Sequence, residues 1–309
     1  MSAPTRVAGF VLGLLAVFGL ALAVGTQVGP FDEPAEAHTS AHDEGGHAHG
    51  DEAQAAATEV PGGLMVSSDG YTLALRDTVG RAGRGRPISF VIDGPDGPVT
   101  AYDVEHAKRL HLIAVRRDFT GFQHVHPRLA ADGTWTTSLD LTPGQWRVFA
   151  DFKPTGAEAL TLGSDLSVPG RVEAVAPSGT TRVATVDGYT VRLDGDLVAG
   201  RHSMLTLEVE KHGRPVTDLQ PYLGAFGHLV ALRAGDLAYL HVHPDGEPGD
   251  GKTQPGPDVT FHAEVPSAGR YRLYLDFKHD GVVRTAEFTV EAGRTAPAGD
   301  DHSDDGHGH

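Results

Sequence analysis

The sequence predicts an all-β chain: two tandem immunoglobulin-like β-sandwich domains after an N-terminal signal or anchor helix, flanked by disordered His- and Asp-rich tails. Three observations carry this. Apolar residues alternate with period two through the middle of the chain, turn-forming clusters punctuate them at intervals of about ten residues, and the whole pattern occurs twice.

The duplication keeps register. Asp69-Gly70-Tyr71-Thr72 recurs as Asp187-Gly188-Tyr189-Thr190, Pro98-Val99-Thr100 as Pro215-Val216-Thr217, and His111-Leu112 as His228-Leu229. His124-Val125-His126-Pro127 recurs as His241-Val242-His243-Pro244, and Asp151-Phe152-Lys153 as Asp276-Phe277-Lys278. The steps from Pro-Val-Thr to His-Leu and from there to His-Val-His are each 13 residues in both copies. The last interval is 27 in the first copy and 35 in the second, which places an eight-residue insertion in the stretch Asp245 to Asp258. Each copy has the size of one domain, 62–170 and 183–292, and the Pro-, Gly-, Ser- and Thr-containing segment 171–182 suits a linker.

In chain order, Arg6 precedes an apolar run from Val7 to Val24, the pattern of an export signal within residues 1–29. Ala21-Leu22-Ala23 offers a small-x-small cleavage site, and a run of about 18 apolar residues also approaches a single membrane span, so cleaved signal and uncleaved anchor both fit. Either places the chain outside the cytoplasm, secreted or held on the cell membrane by a single pass. Residues 30–61 are rich in Ala, Glu, Asp, Gly and His without apolar periodicity, which predicts disorder. Ile88–Ile92, Leu112–Val115, Trp135–Leu141 and Trp146–Phe152 then read as strands, with turns at Asp93–Gly97, Asp132-Gly133 and Pro143-Gly144. Thr100 to Lys108 reads as a short helical turn or loop. The tail 293–309 repeats the His/Asp bias of residues 30–61.

Eighteen His and no Cys remove thiolate zinc sites, iron–sulfur clusters, disulfides and cysteine nucleophiles, leaving imidazole and carboxylate as the strong metal ligands. A net charge of -16 argues against nucleic acid as a partner. Eleven of the excess negative charges fall in Asp32 to Glu59 and Arg294 to His309, so the duplicated part is nearly neutral. These flanks hold His38, His42, His47, His49, His302, His307 and His309 among carboxylates, a composition suited to weak capture of divalent cations or to a solubilising spacer.

Alternation along a strand puts His124 and His126 on one face and Val125 on the other. If residues 111–124 form a hairpin, His111 comes beside the pair; Asp151 lies on the face opposite Trp146 and Phe152. The second copy offers His228, His241, His243 and Asp276 in the same places. Three imidazoles and a carboxylate suit copper, with zinc or nickel also possible. The same residues could equally form a buried polar network without an ion. His106, His202, His212, His262 and His279 have no counterpart in the other copy and read as surface or loop residues.

The Pro143-Gly144-Gln145-Trp146-Arg147 and Ala268-Gly269-Arg270-Tyr271-Arg272 openings look like the penultimate strand of immunoglobulin-like sandwiches. With His-Leu, His-Val-His-Pro and Asp-Phe, the repeated unit resembles actinobacterial secreted proteins of the YtkA-like and FixH-like sandwich type. It more loosely resembles the CopC-like copper-binding sandwiches. CopC-like sites use a mature N-terminal His and Met clusters, whereas this chain has only Met1, Met65 and Met204, so no methionine-based Cu(I) site is expected.

Enzyme classes that use a His-x-His are excluded one by one. Cu/Zn superoxide dismutase needs further ligands and disulfide cysteines, multicopper oxidases need a Cys, and cupins need a Glu that Glu247 could supply in the second copy but that Ala130 and Ala131 replace in the first. The expected function is therefore a non-enzymatic extracytoplasmic metal-binding protein for capture, buffering or delivery of copper. Its partners would be divalent metal ions, a membrane metal transporter or metalloprotein acceptor, and the membrane if the N-terminal segment is uncleaved. The alternative is a secreted sandwich module that binds a protein partner and whose histidines are structural.

Overall fold

A computed structural model describes residues 60–294, except 174, 176–178 and 241. The export segment, the tail histidines His38, His42, His47, His49, His302, His307 and His309, and His241 lie outside the described residues. Among the described residues every regular element is a strand, in two tandem immunoglobulin-like sandwiches.

The first repeat comprises β1 (Ser67–Ser68), β2 (Tyr71–Leu75), β3 (Gly83–Gly94), β4 (Gly97–Pro98), β5 (Leu110–Arg116), β6 (Gln123–Val125), β7 (Arg128–Leu129), β8 (Thr134–Leu141), β9 (Gly144–Phe152) and β10 (Leu160–Val168). One sheet runs β1-β2-β3-β8-β7 with β4 on β3, and the facing sheet runs β10-β9-β5-β6. Alternation decides which side chains enter the core: Ile88, Phe90 and Ile92 from β3 and Trp135, Leu139 and Leu141 from β8 point inward. The Trp135 indole donates to the Tyr102 hydroxyl at 3.1 Å, so the largest core aromatic there buries no unpaired polar atom. The segment leading into β1 is pinned by Arg147, whose guanidinium donates to the carbonyls of Gly63 at 2.6 Å and Leu64 at 2.9 Å. Position 163 must be glycine for this approach, because a Cβ there would stand 2.0 Å from the Gly63 oxygen.

The second repeat follows the same plan with β11 (Val183–Val186), β12 (Tyr189–Asp194), β13 (His202–Lys211), β14 (Arg214–Pro215), β15 (Gly227–Arg233), β16 (Tyr239–Leu240), β17 (Val242–Pro244), β18 (Asp258–Glu264), β19 (Gly269–His279) and β20 (Val282–Ala292). Its sheets run β11-β12-β13-β18-β17 and β16-β15-β19-β20. The loop between β17 and β18 contains the insertion expected from the repeat spacing.

The four-stranded sheets of the two repeats pack against each other. Leu110, Leu112 and Ala114 of β5 fill their own sandwich, whereas Ile113 and Val115 on the other face join Phe149, Val230, Leu232, Leu237, Tyr239 and Tyr274 in a separate apolar cluster. Phe122 stacks on Tyr274 with ring centroids 3.9 Å apart, and the Tyr274 hydroxyl donates to the Phe119 carbonyl at 2.9 Å. Under the repeat correspondence Ile113 matches Val230 and Phe149 matches Tyr274, so like residues meet across a pseudo-two-fold interface. Burying side chains of this size contributes about 1.5–3 kcal/mol each. The interface is thus a third core rather than a loose contact.

Candidate metal centre

The face of β5 and β9 that turns toward the second repeat carries His111 and Asp151, which are direct cross-strand neighbours; β15 and β19 present His228 and Asp276 in the same relation. Strand β6 pairs antiparallel with β5, placing His124 opposite Ile113, so the hairpin expected from the 13-residue spacing brings His124 to His111. Val125 points back into the sandwich. The ligand atoms of His111, His124 and His228 all lie within 4.8 Å of one another.

Two of these rings have fixed tautomers. His111 Nε2 must donate to the Glu105 carbonyl at 3.2 Å, and His124 Nδ1 donates to the Asp276 carboxylate at 2.8 Å. The remaining nitrogens, Nδ1 of His111 and Nε2 of His124, face each other at 3.0 Å. In two neutral rings both present lone pairs, which repel unless a cation stands between them. Two nitrogens bound to one ion at about 2.0–2.1 Å are themselves roughly 2.9–3.4 Å apart. His228 stacks parallel on His111 with centroids 5.5 Å apart and lies 4.9 Å from His124 by the same measure.

The surroundings keep His111, His126 and His228 neutral. Burial first, and then the neighbouring His124, push His111 down to about 3, and the same causes push His126 to about 3. Burial and then His124 and His111 hold His228 well below the ordinary histidine range. Neutral imidazole is the form that ligates metal. His126, ring centroid 4.9 Å from His124, has a buried Nε2 with no hydrogen-bond partner among the described residues.

Outer contacts orient the set. Asp276 accepts from Thr285 Oγ1 at 2.6 Å while it holds His124, a carboxylate–imidazole relay of the kind that orients metal ligands. The bond crosses between the repeats. Asp151 accepts from Thr161 Oγ1 at 3.0 Å and faces the Tyr239 hydroxyl, which burial and then Asp151 push well above its ordinary range. A small recess beside His111 is lined by Glu105, His106, Lys108, Arg109 and Lys153.

Two stretches of the chain, residues 66–168 and 184–294, each match the family described as a domain of unknown function, DUF8832. The chain belongs to the DUF8832 family. No curated protein matches it. Among solved structures it is similar to the Escherichia coli adhesin FdeC, at 16% identity and TM-score 0.24, covering 74% of this chain and 65% of that one. It is also similar to invasin, a bacterial integrin-binding protein, at 14% identity and TM-score 0.23, covering 74% of this chain and 41% of that one. The D0-D1 domain of intimin follows at 13% identity and TM-score 0.21, covering 72% and 97%. The chain therefore spans less than two thirds of the first two.

Within the DUF8832 pair, the structure corrects two expectations. His243 does not occupy the place of His126: β17 leaves its sheet early and pairs with β18, His243 opposite His262, which turns the side chain outward. In the first repeat β6 stays on β5 through Val125 before β7 crosses to β8. His279 is not a surface residue; it is 7% exposed, with Nδ1 2.7 Å from the Tyr189 hydroxyl and Nε2 donating to Asp218 at 2.9 Å. His106 is a loop residue, yet its ring lies 5.6 Å from His228 and 6.1 Å from His111 by centroids, at the rim of the cluster. Its left-handed backbone, φ 48°, aims it there; Leu223, the matching position of the second repeat, has φ 56° but no imidazole. Glu105, which acts through its backbone carbonyl, and Thr285 left no signal in the sequence.

Proposed function

We propose that this DUF8832 protein is an extracytoplasmic metal-binding protein whose two sandwiches close on one ion, copper by preference, through His111, His124 and His228. The observation that carries the proposal is the pair of lone-pair nitrogens held face to face by Glu105 and Asp276 in a buried setting. Zinc and nickel fit the same donors, and the affinity order for nitrogen sites favours copper when it is present. Binding rather than catalysis suits an enclosed cluster whose rings are already fixed by other bonds. The export-type segment from Val7 to Val24 and the His-rich flanks fit a protein that captures an ion outside the cytoplasm. Such a protein would buffer the ion or pass it to a membrane transporter or metalloprotein acceptor.

Isothermal titration of the full chain with Cu(II) and Zn(II), in a weak chelator that masks low-affinity flank sites, tests this. One tight equivalent is expected in the wild type, lost in the His111→Ala, His124→Ala double variant. Absence of a tight equivalent, or one that survives the double variant, overturns the assignment. A second reading is favoured by the inter-repeat His124–Asp276 bond: a proton shared between His111 and His124 would make the cluster a metal-free staple of a secreted interaction module. In that case the double variant lowers the melting temperature and leaves the metal titration unchanged.

A further inference from the structure

Three histidines outside the central cluster lie on one outer face of the second repeat. Strands β13, β18 and β17 lie side by side, and the register sets Met204 opposite His262 and His262 opposite His243. His202 stands opposite Glu264, one pleat along the same face. The intervening residues Ser203, Leu205, Phe261, Ala263 and Val242 are buried, so His202, Met204, His262, Glu264 and His243 all project outward. Directly opposed side chains on one face have Cβ atoms about 4.5–5.5 Å apart. His243, His262 and Met204 thus form a continuous row of two imidazoles and one thioether across three strands.

We propose that this row is a second, solvent-exposed copper site, with Met204, His243 and His262 as ligands and the His202–Glu264 pair beside it. Met204 is 60% exposed, so its thioether is not engaged in core packing. Three methionines in the sequence predict no methionine-based Cu(I) site, yet the register sets one of them beside imidazoles, and thioether with imidazole is a soft donor set that favours Cu(I) over zinc or magnesium. Carboxylates lie beside the imidazoles: His262 Nε2 is 3.5 Å from Asp245 Oδ1, and His202 Nδ1 is 3.6 Å from Glu264 Oε2. The next outward positions are Thr206 and Glu208 on β13 and Thr260 and Asp258 on β18, so neither strand sets a lysine or arginine beside the row; Arg192 of β12 stands further along the face, opposite Glu208. The cleft that contains His202, His243, His262 and Glu264 is also lined by Val60 and Pro61. A site on this exposed face stands apart from the enclosed inter-repeat cluster.

The chain has only three methionines, so methyl-13C-methionine labelling of the full-length protein reports on Met204 without crowding. The probe is Ag(I), or Cu(I) under anaerobic conditions. The Met204 methyl resonance is expected to move with the first equivalents, in the wild type and equally in His124→Ala, while Met65, also exposed but on the first repeat, stays in place. The His243→Gln, His262→Gln double variant, which alters only exposed side chains, should abolish the Met204 response and leave the Met65 signal at its folded position. A Met204 signal that stays still, moves only in step with Met65, or still moves in the double variant overturns the proposal. Because His124→Ala disables the central cluster, failure there and failure here are separate results.

Discussion

A buried imidazole carries a defined tautomer only when something accepts its proton, and at His124 that acceptor is Asp276, 152 residues away in the sequence. The two side chains are 1% and 4% exposed, so the contact is shielded from solvent. Asp276→Asn keeps the shape but removes the charge that holds Nδ1–H, and loss of such an outer contact costs about 10–100-fold in metal affinity. Chelator competition should show that loss for Cu(II); an unchanged dissociation constant would mean that Asp276 does not orient a ligand. Alternation in the sequence puts His124 and His126 on one face and Asp151 away from its own core, and the 13-residue spacing brings His111 beside the pair. It did not show that the carboxylate of one repeat serves the imidazole of the other, because period and spacing report only contacts made within a hairpin. His243 was misplaced for a related reason: the duplicated motif is identical, but whether a strand stays with one sheet or crosses depends on pairing partners that the motif does not contain.

At the level of elements, β5 and β9 are buried on both faces, and the run Leu110–Val115 accordingly shows almost no polar alternation. Strand character is legible there, but nothing in the run shows that its second buried face packs on the other repeat. Tyr274 tests that core most directly. It stacks on Phe122, bonds the Phe119 carbonyl and packs in the cluster with Ile113 and Phe149. Tyr274→Ala should lower stability by about 3–5 kcal/mol, the usual cost of removing a fully buried aromatic. Urea denaturation would detect it as a lower midpoint. A change below roughly 1 kcal/mol would show that the sheets do not depend on each other.

The whole molecule combines two legible sandwiches with an arrangement that the sequence left open, one shared cluster between repeats instead of one site in each. That arrangement dictates the pH response. Folding holds His111 and His126 at about 3 and His228 well below its ordinary value, whereas unfolded histidine titrates near 6.5. Between those limits the unfolded chain binds more protons than the folded one, so stability rises with pH. It is fully present above about pH 6.5 and is lost progressively as pH falls toward 3, each such histidine adding up to about 1.4 kcal/mol per pH unit inside the window. The same protons compete for the nitrogens that would hold an ion, so acid loosens the repeats and would release any metal held there. Urea midpoints of the wild type should therefore fall more steeply from pH 7 to pH 4.5 than those of His111→Gln, His126→Gln, whose replaced side chains do not titrate. Saturating Cu(II) should shift the onset of the fall to lower pH in the wild type and leave the double variant less changed. Equal pH slopes in the two proteins would mean that carboxylates alone set the acid response and that the histidine cluster is not protonated on unfolding.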